Sequence, residues 1–157
     1  FQRELVRGMA VASGIASGYN PAARHPGLFT INGTPVNGQS VDKLEAAVRA
    51  QIRRLQDEPV TTEELERIKA QVVAGDVYQR DSVFYQAMKI GTLETVGLDW
   101  RLADDFVARL RTVTAAQVQA VAKKYLIESN MTVTVLQPQP GKLKPRRPAP
   151  PGGGHGR

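Results

Sequence analysis

The sequence predicts an α+β fold, an antiparallel sheet with helices packed on one face. Two observations carry this. Apolar residues recur with a period of two near the start and again near position 135, while the stretch between them repeats at helical spacing. The order of elements is therefore strand, strand, several helices, strand, which is not the alternating βαβ order of a parallel sheet.

Phe1 to Val6 resembles the last turns of a helix. Met9 to Tyr19 then places Met9, Val11, Ser13, Ile15, Ser17 and Tyr19 on one side and Ala10, Ala12, Gly14, Ala16 and Gly18 on the other. This predicts a long strand with one very small face, open to the close approach of a helix or another backbone. Asn20-Pro21 and His25-Pro26-Gly27 are turn signals, so Leu28 to Ile31 should return antiparallel and end at Asn32-Gly33.

Ser40 suits the N-cap of a helix with Val41, Leu44, Val48, Ile52 and Leu55 on one stripe, stopped at Glu58-Pro59. Thr61 with Glu64 forms a capping-box pattern ahead of a helix that turns Leu65, Ile68 and Val72 inward and bends or ends at Gly75. Ser82 to Thr95 gives a further helix, in which Phe84 and Met88 share a face and should pack. Asp99 then caps a helix carrying Leu102, Phe106, Leu110 and Val113. Thr114 with Gln117 is another capping box, with Val118, Val121, Ala122 and Tyr125 along one face. Met131, Val133 and Val135 alternate with Thr132 and Thr134, as in a half-buried closing strand.

Composition narrows the function. A chain of 157 residues with 41% hydrophobic content can bury a core as one domain or part of one. No run reaches the roughly 18 to 20 apolar residues of a membrane helix. Neither an initiating Met nor a signal-like segment precedes Phe1, so the chain reads as a fragment, a processed form or a trimmed form. The absence of Cys removes disulfides, thiolate nucleophiles and Cys-zinc sites. Of the net charge of +6, five units come from Lys142, Lys144, Arg146, Arg147 and Arg157 in a stretch without acids. Residues 1–137 are thus nearly neutral, which argues against a nucleic-acid face. Residues 138–157, rich in Pro and Gly, read as a disordered basic tail that leaves 1–137 as the folded part.

Chemistry-bearing motifs are sparse. His25 and His155 are the only histidines, and neither stands in a His-x-x-Glu-His or His-Glu-x-x-His pattern. Gly-x-Ser-x-Gly and phosphate-cradling glycine loops are missing too. The carboxylates Glu63, Glu64, Glu66, Asp104 and Asp105 fall in first turns and on solvent faces of capped helices, where they favour the helix dipole.

Four segments carry a family resemblance. They are Ser17-x-Tyr19 leading to Pro26-Gly27-Leu28-Phe29-Thr30-Ile31; Val60-Thr61-x-Glu63-Glu64-Leu65-Glu66-Arg67-x-Lys69-Ala70; the Asp99-Trp100 helix after Gly97; and Thr114-x-x-x-Val118-x-x-Val121-Ala122-x-Lys124-Tyr125-Leu126 with its closing Thr-Val-x-Val-Leu. In this order and spacing the chain resembles the pitrilysin/insulinase zinc metallopeptidases, over most of residues 1–137. The match is to the later part of their C-terminal, zinc-free domain, so the fold should be a metallopeptidase-like domain incomplete at its N-terminus.

The resemblance implies a parent zinc metalloendopeptidase in which this chain walls the substrate chamber. Zinc, its ligands and the catalytic Glu would lie outside the chain, on a zinc-bearing N-terminal domain. Many family members also use an Arg at the end of the opening helix and a Tyr seven residues later to hold substrate. Alignment puts Val6 and Val11 at those positions, with the link two residues short. Arg7 could replace part of the lost cation, and Tyr19 is the other substrate-side residue of this region. The resemblance thus suggests that a second family subunit supplies the Arg/Tyr pair, and that the parent is periplasmic or exported. Two other readings stay open at this point: a non-catalytic structural or partner subunit of the same fold, and an unrelated module that binds an extended peptide along the Met9–Tyr19 strand.

Overall fold

The computed structural model describes residues 1–137; the tail inferred for 138–157 lies outside the described residues. A π-helix, Gln2–Gly8, leads into strand β1, Ala12–Gly18, which pairs antiparallel with β2, Thr30–Pro35. Five helices follow: α1 Val41–Asp57, α2 Thr62–Arg80, α3 Val83–Thr95, α4 Leu102–Arg111 and α5 Ala115–Tyr125. A short 3₁₀ turn at Glu128–Asn130 closes the described elements. The architecture is α+β and dominated by helices, with a small two-stranded sheet.

Caps fix most of the helix starts. Ser40, Thr61, Ser82 and Thr114 are extended N-cap residues, and each side chain accepts a hydrogen bond from the backbone N–H three residues on. At Thr114 the box is complete, because Gln117 Oε1 accepts in return from the Thr114 N–H at 2.9 Å. The start of α4 differs from expectation. Its N-cap is Arg101, and Asp99 Oδ1 instead accepts from the Arg101 N–H at 2.8 Å, ordering the turn before the helix. Gly75 does not end α2, which continues to Arg80.

The core joins the opening helix, the sheet and α1. Leu5, Val11, Ala12, Ile15, Leu44 and Ala47 form one buried cluster, with Phe1, Val6, Ile31 and Val48 packed against it. The period-two reading of β1 fails at one place. Register slips between Ala12 and Gly14, so a bulge at Ser13 shifts the alternation and lets both Ala12 and Ile15 face inward. Strand β2 also runs through Asn32-Gly33 to Pro35. Gly33 belongs in the strand because α1 lies close: a Cβ there would stand 3.1 Å from Leu44 Cδ2. The close approach expected over β1 is thus found at β2.

Helix α5 packs on α1, and its end is held by side chains. Gln56 Nε2 donates to the Leu126 carbonyl at 2.7 Å, and Gln119 Nε2 donates to the Gln56 carbonyl at 2.9 Å. Of the expected α5 stripe, Ala122 is buried and Val118 half-buried, whereas Val121 and Tyr125 face solvent. Helices α2, α3 and α4 pack on one another. The inward face expected of α2 is corrected: Ile68 and Val72 are exposed, while Lys69 and Asp76 are buried. Phe84 and Met88 are exposed as well, so the packing expected of them is absent. The closing strand is also not formed within the described residues, where Met131–Leu136 lies in no sheet.

Candidate functional site

Of the four candidate residues, Val6, Arg7 and Val11 lie at the corner between the opening helix and β1, and Tyr19 lies past the opposite end of that strand. The corner is tight. Met9 N–H donates to the Glu4 carbonyl at 2.7 Å and Val11 N–H to the Leu5 carbonyl at 3.0 Å, and Ala10 between them has φ +48°. A non-glycine residue in that region is uncommon and is kept by the contacts on either side. Those contacts come from Val11, which is 1% exposed and hydrogen-bonded through its carbonyl to the Val36 N–H at 3.1 Å.

The four residues therefore occupy different environments. Val11 is a core side chain, and Val6 is half-buried against the same cluster. Arg7, in the last turn of the opening helix, is exposed and forms no ion pair among the described residues. Tyr19 is exposed just past the end of β1, with its ring edge over Gly27 in the following loop. A peptide passing this corner would meet the Arg7 guanidinium and the side chain of Met9, and one running the length of β1 would reach the Tyr19 phenol at the other end. These groups can bind and orient a chain through hydrogen bonds and apolar contact, but they make no nucleophile–base pair.

No set of three or more His, Cys, Asp or Glu side chains among the described residues could hold a metal ion. His25 lies exposed in the loop between β1 and β2. The donors among the described residues therefore do not fit zinc, and no catalytic step is assigned to them.

The helical part holds one buried ionic cluster that sequence reading missed. Asp76 on α2 accepts from Arg80 Nε at 3.0 Å and from Lys89 Nζ of α3 at 2.6 Å. Lys89 also lies 5.1 Å from the centre of the Phe106 ring on α4. Burial pushes the Asp76 carboxyl upward, but its hydrogen bonds to Lys89 and Arg80 outweigh burial and hold it below the ordinary aspartate value. A carboxylate so paired is a poor proton acceptor, and its role is to tie three helices together. Its i, i+4 pairing with Arg80 was readable from spacing; the cross-helix partner Lys89 was not. Beside the cluster, an open groove of about 420 Å³ runs between α2 and α4, floored by Val73, Val77 and Val107.

Comparison with known proteins points to one family. Residues 1–72 match the family described as the peptidase M16 inactive domain. The solved inactive peptidase domain of a protein assigned as a zinc protease in Bordetella parapertussis is 25% identical, with a TM-score of 0.70 over 86% of this chain and 73% of that one. A protein assigned as a zinc protease in Bordetella pertussis Tohama I is 26% identical, with a TM-score of 0.74 over 87% of this chain and 74% of that one. The chain is similar to a C-terminal, inactive-type domain of the M16 peptidases. The M16 likeness extends well past residue 72, since both structures follow the helices as well as the sheet. A search of curated proteins finds no match. The M16 family includes the pitrilysin/insulinase peptidases that the four sequence segments resemble. Among the described residues no helix is long and apolar enough to cross a membrane.

Proposed function

We propose that this chain is the zinc-free wall of the substrate chamber of a zinc-dependent metalloendopeptidase, inactive without the zinc-bearing domain. The observation that carries this reading is the likeness of residues 1–72 to the M16 inactive domain, with the same fold in two solved structures over 86% and 87% of the chain. A wall needs groups that hold an extended peptide and none that cleave it. Arg7 and Tyr19 answer to that description. Val11 is committed to the core, so the Tyr position of the family's Arg/Tyr pair is filled by packing here. On this reading a second subunit brings the missing pair, and the enzyme is periplasmic or exported.

The test is cleavage of a quenched-fluorescence peptide library by the chain alone and by the assembled parent. The chain alone is expected to show background rates. The parent should cleave, lose that activity to a zinc chelator and regain it with added zinc. Arg7→Ala in the parent should raise KM several-fold with little change in kcat, as removal of uniform binding does. A parent that remains silent with zinc present would instead indicate a structural subunit of the same fold.

A further inference from the structure

The corner where α2 turns into α3 is an exposed apolar cluster. Only Asp81 and Ser82 separate the two helices. Val77 and Tyr78 lie in the last turn of α2, Val83, Phe84 and Tyr85 open α3, and Met88 follows one turn on, all of them exposed. Tyr78, Val83 and Phe84 are 78%, 81% and 67% exposed, and no residue of α3 is buried. Apolar side chains gathered in this way mark a surface for docking.

The backbone of the corner is already satisfied. Ser82 N–H donates to the Gln79 carbonyl at 3.2 Å, Tyr85 N–H to Ser82 Oγ at 3.5 Å, and Gln86 Nε2 to the Arg80 carbonyl at 2.6 Å. These groups can leave bulk water without stranding a donor or an acceptor. The corner also carries no net charge, since Arg80 and Lys89 match Asp76 and Asp81 between residues 76 and 89.

Aromatic rings with a polar edge settle at the boundary between lipid and water, as tyrosine does. A shallow apolar wedge alone holds weakly, and firm attachment takes a second, electrostatic signal. The chain carries one. Lys142, Lys144, Arg146, Arg147 and Arg157 stand in a stretch without acids and supply five of the net +6 charges. Such clusters of cations are drawn to anionic headgroups. A stretch of this length can span up to about 70 Å when extended, so its cations can meet the same surface as the corner. Charge complementarity therefore selects an anionic lipid surface as the occupant.

We propose that the chain docks on an anionic phospholipid surface, with the α2–α3 corner seated among the headgroups and the cations of residues 138–157 held to the lipid phosphates. The attachment is peripheral and needs no spanning helix.

Co-sedimentation of the 157-residue chain with vesicles tests this. At low salt the chain should bind vesicles of about one-third phosphatidylglycerol in phosphatidylcholine roughly 10-fold more tightly than vesicles of phosphatidylcholine alone, and salt should erase the difference. Phe84→Ser combined with Tyr85→Ser changes two exposed positions, so circular dichroism should stay the same. Binding should nevertheless weaken about 10-fold and keep its salt dependence. Replacing the five cations by Gln should remove the salt dependence. Failure to pellet, equal binding to the two kinds of vesicle, or a double variant that binds like the wild type would overturn the proposal. The assembled parent must bind the same vesicles; binding by the isolated chain alone would make the corner an internal face and overturn it too. Vesicle binding needs no cleavage. A silent parent that pellets would sink the peptidase reading and leave the docking surface standing.

Discussion

Leu5→Ala should cost the fold about 3 kcal/mol, within the roughly 2–5 kcal/mol typical of a buried leucine truncated to alanine. Leu5 is fully buried, and it is where the opening helix, β1 and α1 meet. Its carbonyl also accepts the Val11 N–H, so the backbone around it is pinned and has little freedom to collapse into the space left by the lost methyls. A loss of this size corresponds to a fall in melting temperature of roughly 6–12 °C for a chain of this length. Thermal denaturation followed by circular dichroism reads it directly. Val6→Ala, one residue on and half-buried, should cost well under half as much. Equal costs at the two positions would show that the core is not centred on Leu5.

Asp76→Ala should destabilise the α2–α3–α4 unit by about 2 kcal/mol, in the range for losing charged hydrogen bonds. Arg80 and Lys89 keep part of their surface in water, so hydration offsets some of the loss and the figure falls short of that for a fully buried pair. A double-mutant cycle with Lys89→Ala should give a coupling energy above about 0.5 kcal/mol, since the two groups are in direct contact. The cluster also sets a pH dependence. The Asp76 carboxyl is held below its ordinary value in the folded chain, so the unfolded chain takes up the proton first as pH falls. The stabilisation is fully present above about pH 4 and is lost progressively below it, as pH drops through the folded value. Urea midpoints measured from pH 6 to pH 3 should fall in the wild type and flatten in Asp76→Ala. Parallel curves would remove Asp76 from the account of acid sensitivity.

What could be read from the sequence followed local chemistry. The caps at Ser40, Thr61 and Thr114 need only a hydroxyl and the next turn of backbone, and all three are in place. The α1 stripe was legible for the same reason, with Leu44 and Ile52 buried and Val48 and Leu55 half-buried. What escaped depended on distant partners. Periodicity favoured Ile68 and Val72 as the inward residues of α2. Lys69 is buried instead because its ammonium donates to Glu66 and, at 3.1 Å, to the Arg111 carbonyl. The bulge at Ser13 and the passage of β2 through Gly33 were hidden because both depend on register and on the approach of α1. At the candidate site the sequence named Val6, Arg7, Val11 and Tyr19, but not which of them are buried. Hydrophobicity alone does not separate a core Val11 from a half-buried Val6, and the exposure of Arg7 and Tyr19 follows from where β1 begins and ends.

In the proposed chamber the chain lends shape, not metal, to a zinc peptidase. Native mass spectrometry of the purified chain and of the assembled parent, each with equimolar zinc, tests it most directly. The chain alone should appear as an apo species near 17 kDa, with stoichiometric zinc only in the larger assembly. Stoichiometric zinc on the isolated chain, or an active parent that carries none, would contradict it.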